Sequence, residues 1–215
     1  MEKGRLICLS FVAVLKQPLR VIPNMDGKFC RELFGMPYET FNGITPEGYT
    51  ITINNKPFPL IVISPTKIIF KAENKESLLK YVEAIKSELQ RISKEDFNIP
   101  VSLAAFGINS EYQWLGLDEN ADTWIWNHFI DKKIRTGNEY HVCNKINLRI
   151  GINDNQFANI ELAPRIGIRN GLFANINHHH NIALDELPNA DILDKYIEDS
   201  DIVINSNVIS KIIEN

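Results

Sequence analysis

The stretch Val142-Cys143-Asn144-Lys145-Ile146-Asn147-Leu148-Arg149-Ile150-Gly151-Ile152 decides the fold class. Ile146, Leu148, Ile150 and Ile152 point one way, and Lys145, Asn147 and Arg149 point the other. A period of two is the signature of a strand with one face packed and one in water. Asn153-Asp154-Asn155 makes a turn, and Ala158, Ile160 and Leu162 then resume the alternation. Ala163-Pro164 turns the chain into Ile166 and Ile168, and after Asn170-Gly171 come Leu172, Ala174 and Ile176. Alternating strands joined by short turn phrases predict antiparallel pairing. From Pro188 onward, Ile192, Leu193, Tyr196 and Ile197, then Val208, Ile209, Ile212 and Ile213, take helical spacing.

The same order occurs earlier in the chain. Thr50 to Ile53 alternates, Asn54-Asn55-Lys56 turns, and Phe58 to Ile63 is an apolar run whose Pro59 end belongs at a sheet edge. Ser64-Pro65-Thr66-Lys67 leads to Ile68-Ile69-Phe70. Asn74 can cap a helix in which Leu78, Val82, Ile85, Leu89 and Ile92 recur at steps of four and three. Before these, Leu6 to Leu15 reads as a strand buried on both faces, and Phe29, Cys30, Leu33 and Phe34 as one side of a short helix. Residues 38–48 read as loop. In the middle, Ile99 to Phe106 is a strand with Gly107 at a bulge, Tyr112-Gln113-Trp114 a loop, and Asp122 to Ile134 a helix. Trp126 and Ile130 are its expected core residues. The expectation is an α+β fold: antiparallel sheet or sheets with helices packed on one face, built from two strand-strand-strand-helix units. With no Gly/Ser linker, residues 1–215 should form one compact domain, with pseudo-similar halves at 1–110 and 138–215 joined by a helical segment.

Composition sets the outer bounds. Of 215 residues, 44% are hydrophobic and 23% charged, which excludes a disordered chain, a collagen-like repeat and a membrane bundle. Twenty-three Lys and Arg against 27 Asp and Glu give a net charge of -4, which argues against a generic nucleic-acid coat. Cys8, Cys30 and Cys143 form no CxxC pair and suit reduced thiols in a cytoplasmic protein. The apolar segment after Lys3 and Arg5 is too short to span a bilayer and has no small-x-small cleavage site, so no membrane association is expected.

The helix from Leu78 to Ile92, the strand Ala105-Phe106-Gly107-Ile108-Asn109 and the phrase Leu172-Phe173-Ala174-Asn175-Ile176-Asn177 occur here in a particular order. In that order they resemble an uncharacterised family of sporadically distributed bacterial proteins. The family's arginine after the glycine is Ile108 in this chain. The resemblance implies an α+β fold and no activity.

Three groups of side chains are candidates for function. His178-His179-His180 puts His178 and His180 on one face of an extended segment, a usable spacing for metal ligands if a carboxylate such as Glu161 joins them. Arg149, Arg165 and Arg169, with Lys145 alongside, all alternate away from the apolar face and could clamp a phosphate or carboxylate. Tyr112, Trp114 and Trp124 could face a partner, since aromatics with polar tips are favoured in interfaces. No Walker A, GxGxxG, GxSxG or kinase motif is present, and no cofactor is expected. The leading reading is a non-catalytic protein that binds a protein partner, or a second copy of itself, through a sheet face or edge. The alternatives are a metal-dependent hydrolase or nuclease on His178, His180 and Glu161, and anion or nucleic-acid binding on the arginine face.

Overall fold

The computed structural model describes residues 1–19, 27–34, 40–45, 48–53, 57–95, 101–130 and 143–214. Strand β1 (Arg5–Leu15) buries Cys8, Leu9, Ser10 and Phe11 in succession, which is why its sequence is an unbroken apolar run. It pairs antiparallel on one side with β5 (Lys67–Ala72) and on the other with β6 (Leu103–Trp114). Outward from β5 lie β4 (Leu60–Ile63), β3 (Gly48–Ile53) and β2 (Thr40–Thr45). Outward from β6 lie β9 (Leu172–His180), β8 (Gln156–Pro164) and β7 (Ile146–Asn153). The result is one nine-stranded antiparallel sheet in the order β2-β3-β4-β5-β1-β6-β9-β8-β7.

The helices are α1 (Gly27–Phe34), α2 (Lys75–Glu95), α3 (Ala121–Phe129) and α4 (Ala190–Ile204), the last continued by a π-helical segment (Asn205–Ile213). Each half of the sheet is laid out the same way. A central strand is followed by a short helix, then strands that step back toward the centre, then a long helix: β1-α1-β3-β4-β5-α2 matches β6-α3-β7-β8-β9-α4, with β2 added at one edge. The strand-strand-strand-helix units expected from sequence are therefore halves of one sheet, not two sheets.

All helices pack on one side of that sheet. Leu78, Val82, Ile85 and Leu89 of α2 are at most 2% exposed and join Phe11, Ile61, Ile68, Phe70 and Phe106 in one core. Burying each such side chain stabilises the fold by about 1.5–3 kcal/mol. A second core holds Trp114, Ile125, Ile160, Leu162, Ala174, Ile176, Ile204, Val208 and Ile213. Asn189 and Asn74 cap α4 and α2, accepting from the backbone N–H groups of Ile192 and Ser77.

Several expectations are corrected. Residues 40–45, read as loop, form β2, and Asn42-Gly43 lies inside that strand. The Pro59 end of its run precedes β4, which is interior rather than an edge. Gly107 sits in regular pairing with Val12 and His179; the irregularities of β1 and β6 lie at Leu6/Cys8 and Val14/Leu15. Residues 165–170 form a turn, not a strand, with Gly167 at φ +78° and Ile166 94% exposed. Tyr112-Gln113-Trp114 continues β6 instead of forming a loop. In α3 the buried residues are Ala121, Trp124 and Ile125, while Trp126 and the C-cap residue Ile130 are half-buried. The segment 131–142, with the expected helix end, and the Cys30 side chain lie outside the described residues. Among the described residues no helix is long and apolar enough to cross a membrane.

Candidate functional site

With the described helices on one side, strand alternation sends every second residue of β6, β9, β8 and β7 to a face that no described helix covers. Register then aligns these residues in rows across the strands. One row runs Lys71, Ser10, Asn109, Asn177, Asn159, Arg149. The next runs Glu111, Asn175, Glu161, Asn147, and a third places Gly107, His179, Phe157 and Gly151 side by side.

The polar rows are knitted together. Arg149 Nε donates to Asn159 Oδ1 at 2.8 Å, and the Asn177 amide donates to Asn109 Oδ1. Gly107 is what admits that amide, since a Cβ there would stand 2.8 Å from Asn177 Nδ2. Glu111 is neutralised by Lys71 at 2.6 Å and Glu161 by Lys145 at 2.5 Å. Arg149 and Arg165 have no carboxylate partner among the described residues; each lies instead over a phenylalanine. Arg149 Cζ is 4.3 Å from the Phe157 ring centre, and Arg165 Cζ is 5.9 Å from that of Phe173. His179 stacks on Phe157 at 4.6 Å, and its own burial followed by the Arg149 charge lowers its pKa. Between these rings lies a groove of about 400 Å³ lined by Asn147, Arg149, Asn159, Glu161, Asn175 and Asn177. Asn175 Oδ1 is buried there without a hydrogen-bond partner among the described residues.

The sequence candidates divide between the two sides of the sheet. His178 and His180 continue the inward face of β9 and are each 1% exposed. They occupy a seam between the cores, with their ring centres 4.1 Å apart. His178 Nδ1 is 2.8 Å from Ser200 Oγ, and Gln156 Nε2 donates to His180 Nδ1 at 3.3 Å. His180 also stacks on Phe106 at 4.5 Å and meets Tyr196 edge-on. Burial lowers both imidazole pKa values, that of His180 to about 3, so the pair is neutral at neutral pH. Glu161 does not join them: it points to the opposite face, where it holds Lys145. Among the described residues no three His, Cys, Asp or Glu side chains are grouped to hold a metal ion.

The arginine row is also broken. Arg149 lies midway along β7, an edge strand of the sheet, whereas Arg165 and Arg169 sit in the β8–β9 turn, bordering a separate groove of about 420 Å³. The aromatic cluster is interior: Trp114 is 0%, Tyr112 7% and Trp124 8% exposed. Trp114 Nε1 donates to Glu214 at 3.0 Å, and Asp201 lies 3.5 Å from the Tyr112 hydroxyl. Those three rings are core, not a partner surface. Sequence reasoning missed Asn147, Asn159, Asn175, Asn177, Phe157, Phe173 and His179. Their signal was alternation with the apolar residues of β7 to β9.

Comparisons with known proteins add little. No family model and no curated protein matches the chain. A solved structure titled as a rolling circle replication initiator protein from Geobacillus stearothermophilus matches at 8% identity and a TM-score of 0.32. That match covers 92% of this chain and 79% of the other. Likeness at that level assigns no activity.

Proposed function

We propose that the protein binds a macromolecular partner on the uncovered face of β9, β8 and β7. A binding surface, rather than a reaction centre, is then its working part. The observation that carries this is the division of the sheet: the helix side is closed by two cores, whereas the other side keeps two guanidinium groups that lie over phenylalanine rings with no carboxylate partner among the described residues. The hydrolase reading finds no comparable support, because its two imidazoles are sealed under α4 and its carboxylate faces the other way.

Asn147 is exposed on the rim of the groove, and Lys80 is exposed on the helix side. Equal amounts of tagged parent, Asn147→Trp and Lys80→Trp, used as bait in cells, test the assignment. The parent and Lys80→Trp should retain the same partner, and Asn147→Trp should lose most of it at an unchanged melting temperature. A partner held equally by all three would contradict the face.

A further inference from the structure

Building on the sheet-face reading above, we infer that the partner is a single-stranded nucleic acid lying along β8 and β9. Along the outward side of β9 the sequence of groups is Phe173, Asn175, Asn177, His179. Phe173 with Arg165 forms a platform at one end, and His179, Phe157 and Arg149 form one at the other. Six residues of strand separate Phe173 from His179, about 20 Å at roughly 3.3 Å per residue, enough for a few nucleotides.

The chemistry of the platforms selects among polymers. By strand order Phe157 stands between His179 on the β9 side and Arg149 on the β7 side, so both flanks of its ring are occupied. A sugar that packs on a bare aromatic ring finds none there. A base can stack on the outer plane of a guanidinium or imidazole, and single-strand binders use both. Between the platforms, Asn147 and the amide groups of Asn159 and Asn177 that are not used within the sheet line the groove and can meet base edges. Lys71 and Lys145 cancel Glu111 and Glu161, so Arg149 and Arg165 leave this part of an acidic protein locally positive.

The test is fluorescence anisotropy of the full chain with labelled mixed-sequence DNA and RNA single strands of about 12 nucleotides. A DNA duplex and heparin serve as competitors. The variants are Arg149→Gln, Phe157→Ala and, on the helix side, Lys195→Gln, with melting temperatures measured in parallel. The expected result is single-strand binding that weakens several-fold between about 50 and 200 mM salt, as two or three neutralised phosphates require. It should fall about tenfold with Arg149→Gln and with Phe157→Ala, and stay unchanged with Lys195→Gln. Heparin displacing the oligonucleotide as well as unlabelled single strand does, with Phe157→Ala neutral, would overturn the nucleic-acid assignment and leave a polyanion site on the same face. No oligonucleotide binding, while Asn147→Trp still loses its cellular partner, would likewise overturn the polymer class alone. Binding lost with Lys195→Gln and untouched by Arg149→Gln and Phe157→Ala would overturn the face as well.

Discussion

Val82→Asp is expected to unfold the protein. Val82 is fully buried on α2, in an apolar core shared with β1, β5 and α4, and the nearest cation along α2 on that side, Lys86, is already paired with Glu186. An unpaired buried charge costs on the order of 4–5 kcal/mol or more, a large part of the stability of a single domain. The same change at Lys80, exposed two residues away, should move stability by about 0.5 kcal/mol or less. Far-UV circular dichroism and a thermal melt separate the outcomes. A soluble Val82→Asp protein with a cooperative melt near the parent's would mean that α2 presents another face to the sheet.

Mild acid is expected to destabilise the parent through the histidine seam. An unfolded imidazole takes up a proton near pH 6.5, whereas native His180 does so only at about 3, and the native His178 value is also lowered. Between those values the unfolded state binds more protons, so stability is complete above about pH 6.5 and falls as pH drops through the window. The loss attributable to His180 is about 1.4 kcal/mol per pH unit, and His178 adds to it in the same direction. His180→Phe keeps the stack on Phe106 and removes one titrating group. Denaturant midpoints measured from pH 7 to pH 4.5 should therefore fall less steeply for that variant than for the parent. Parallel slopes would show that His180 is protonated in the native state as readily as in the unfolded one.

What the sequence disclosed follows from where periodicity is enforced. The inward residues of α2 stood out because a helix against a sheet must repeat its apolar positions every three or four residues. Strands β7 to β9 stood out because one face is packed and the other solvated. The opposite facing of Glu161 and His178 was already implicit, since Glu161 alternates away from Ile160 and Leu162 while His178 follows Ile176. Tyr112 and Trp114 were misplaced because Ser110, Glu111 and Gln113 gave their strand a loop-like composition, although the alternation persists through Trp114. The amide rows were beyond reach. Which residue of β9 stands beside Asn159 depends on the pairing register, and that is set by the tertiary turn geometry at residues 154–155 and 165–171 rather than by the strands themselves.

The protein's function depends on which face of the sheet meets another molecule. A photo-crosslinking amino acid placed in turn at Asn147 and Gly151, on the open face, and at Lys80 and Lys195, on the helix side, reports this in living cells. High-mass adducts should form from Asn147 and Gly151 and not from Lys80 and Lys195, and they should be sensitive to nuclease. Adducts confined to Lys80 and Lys195 would contradict the account.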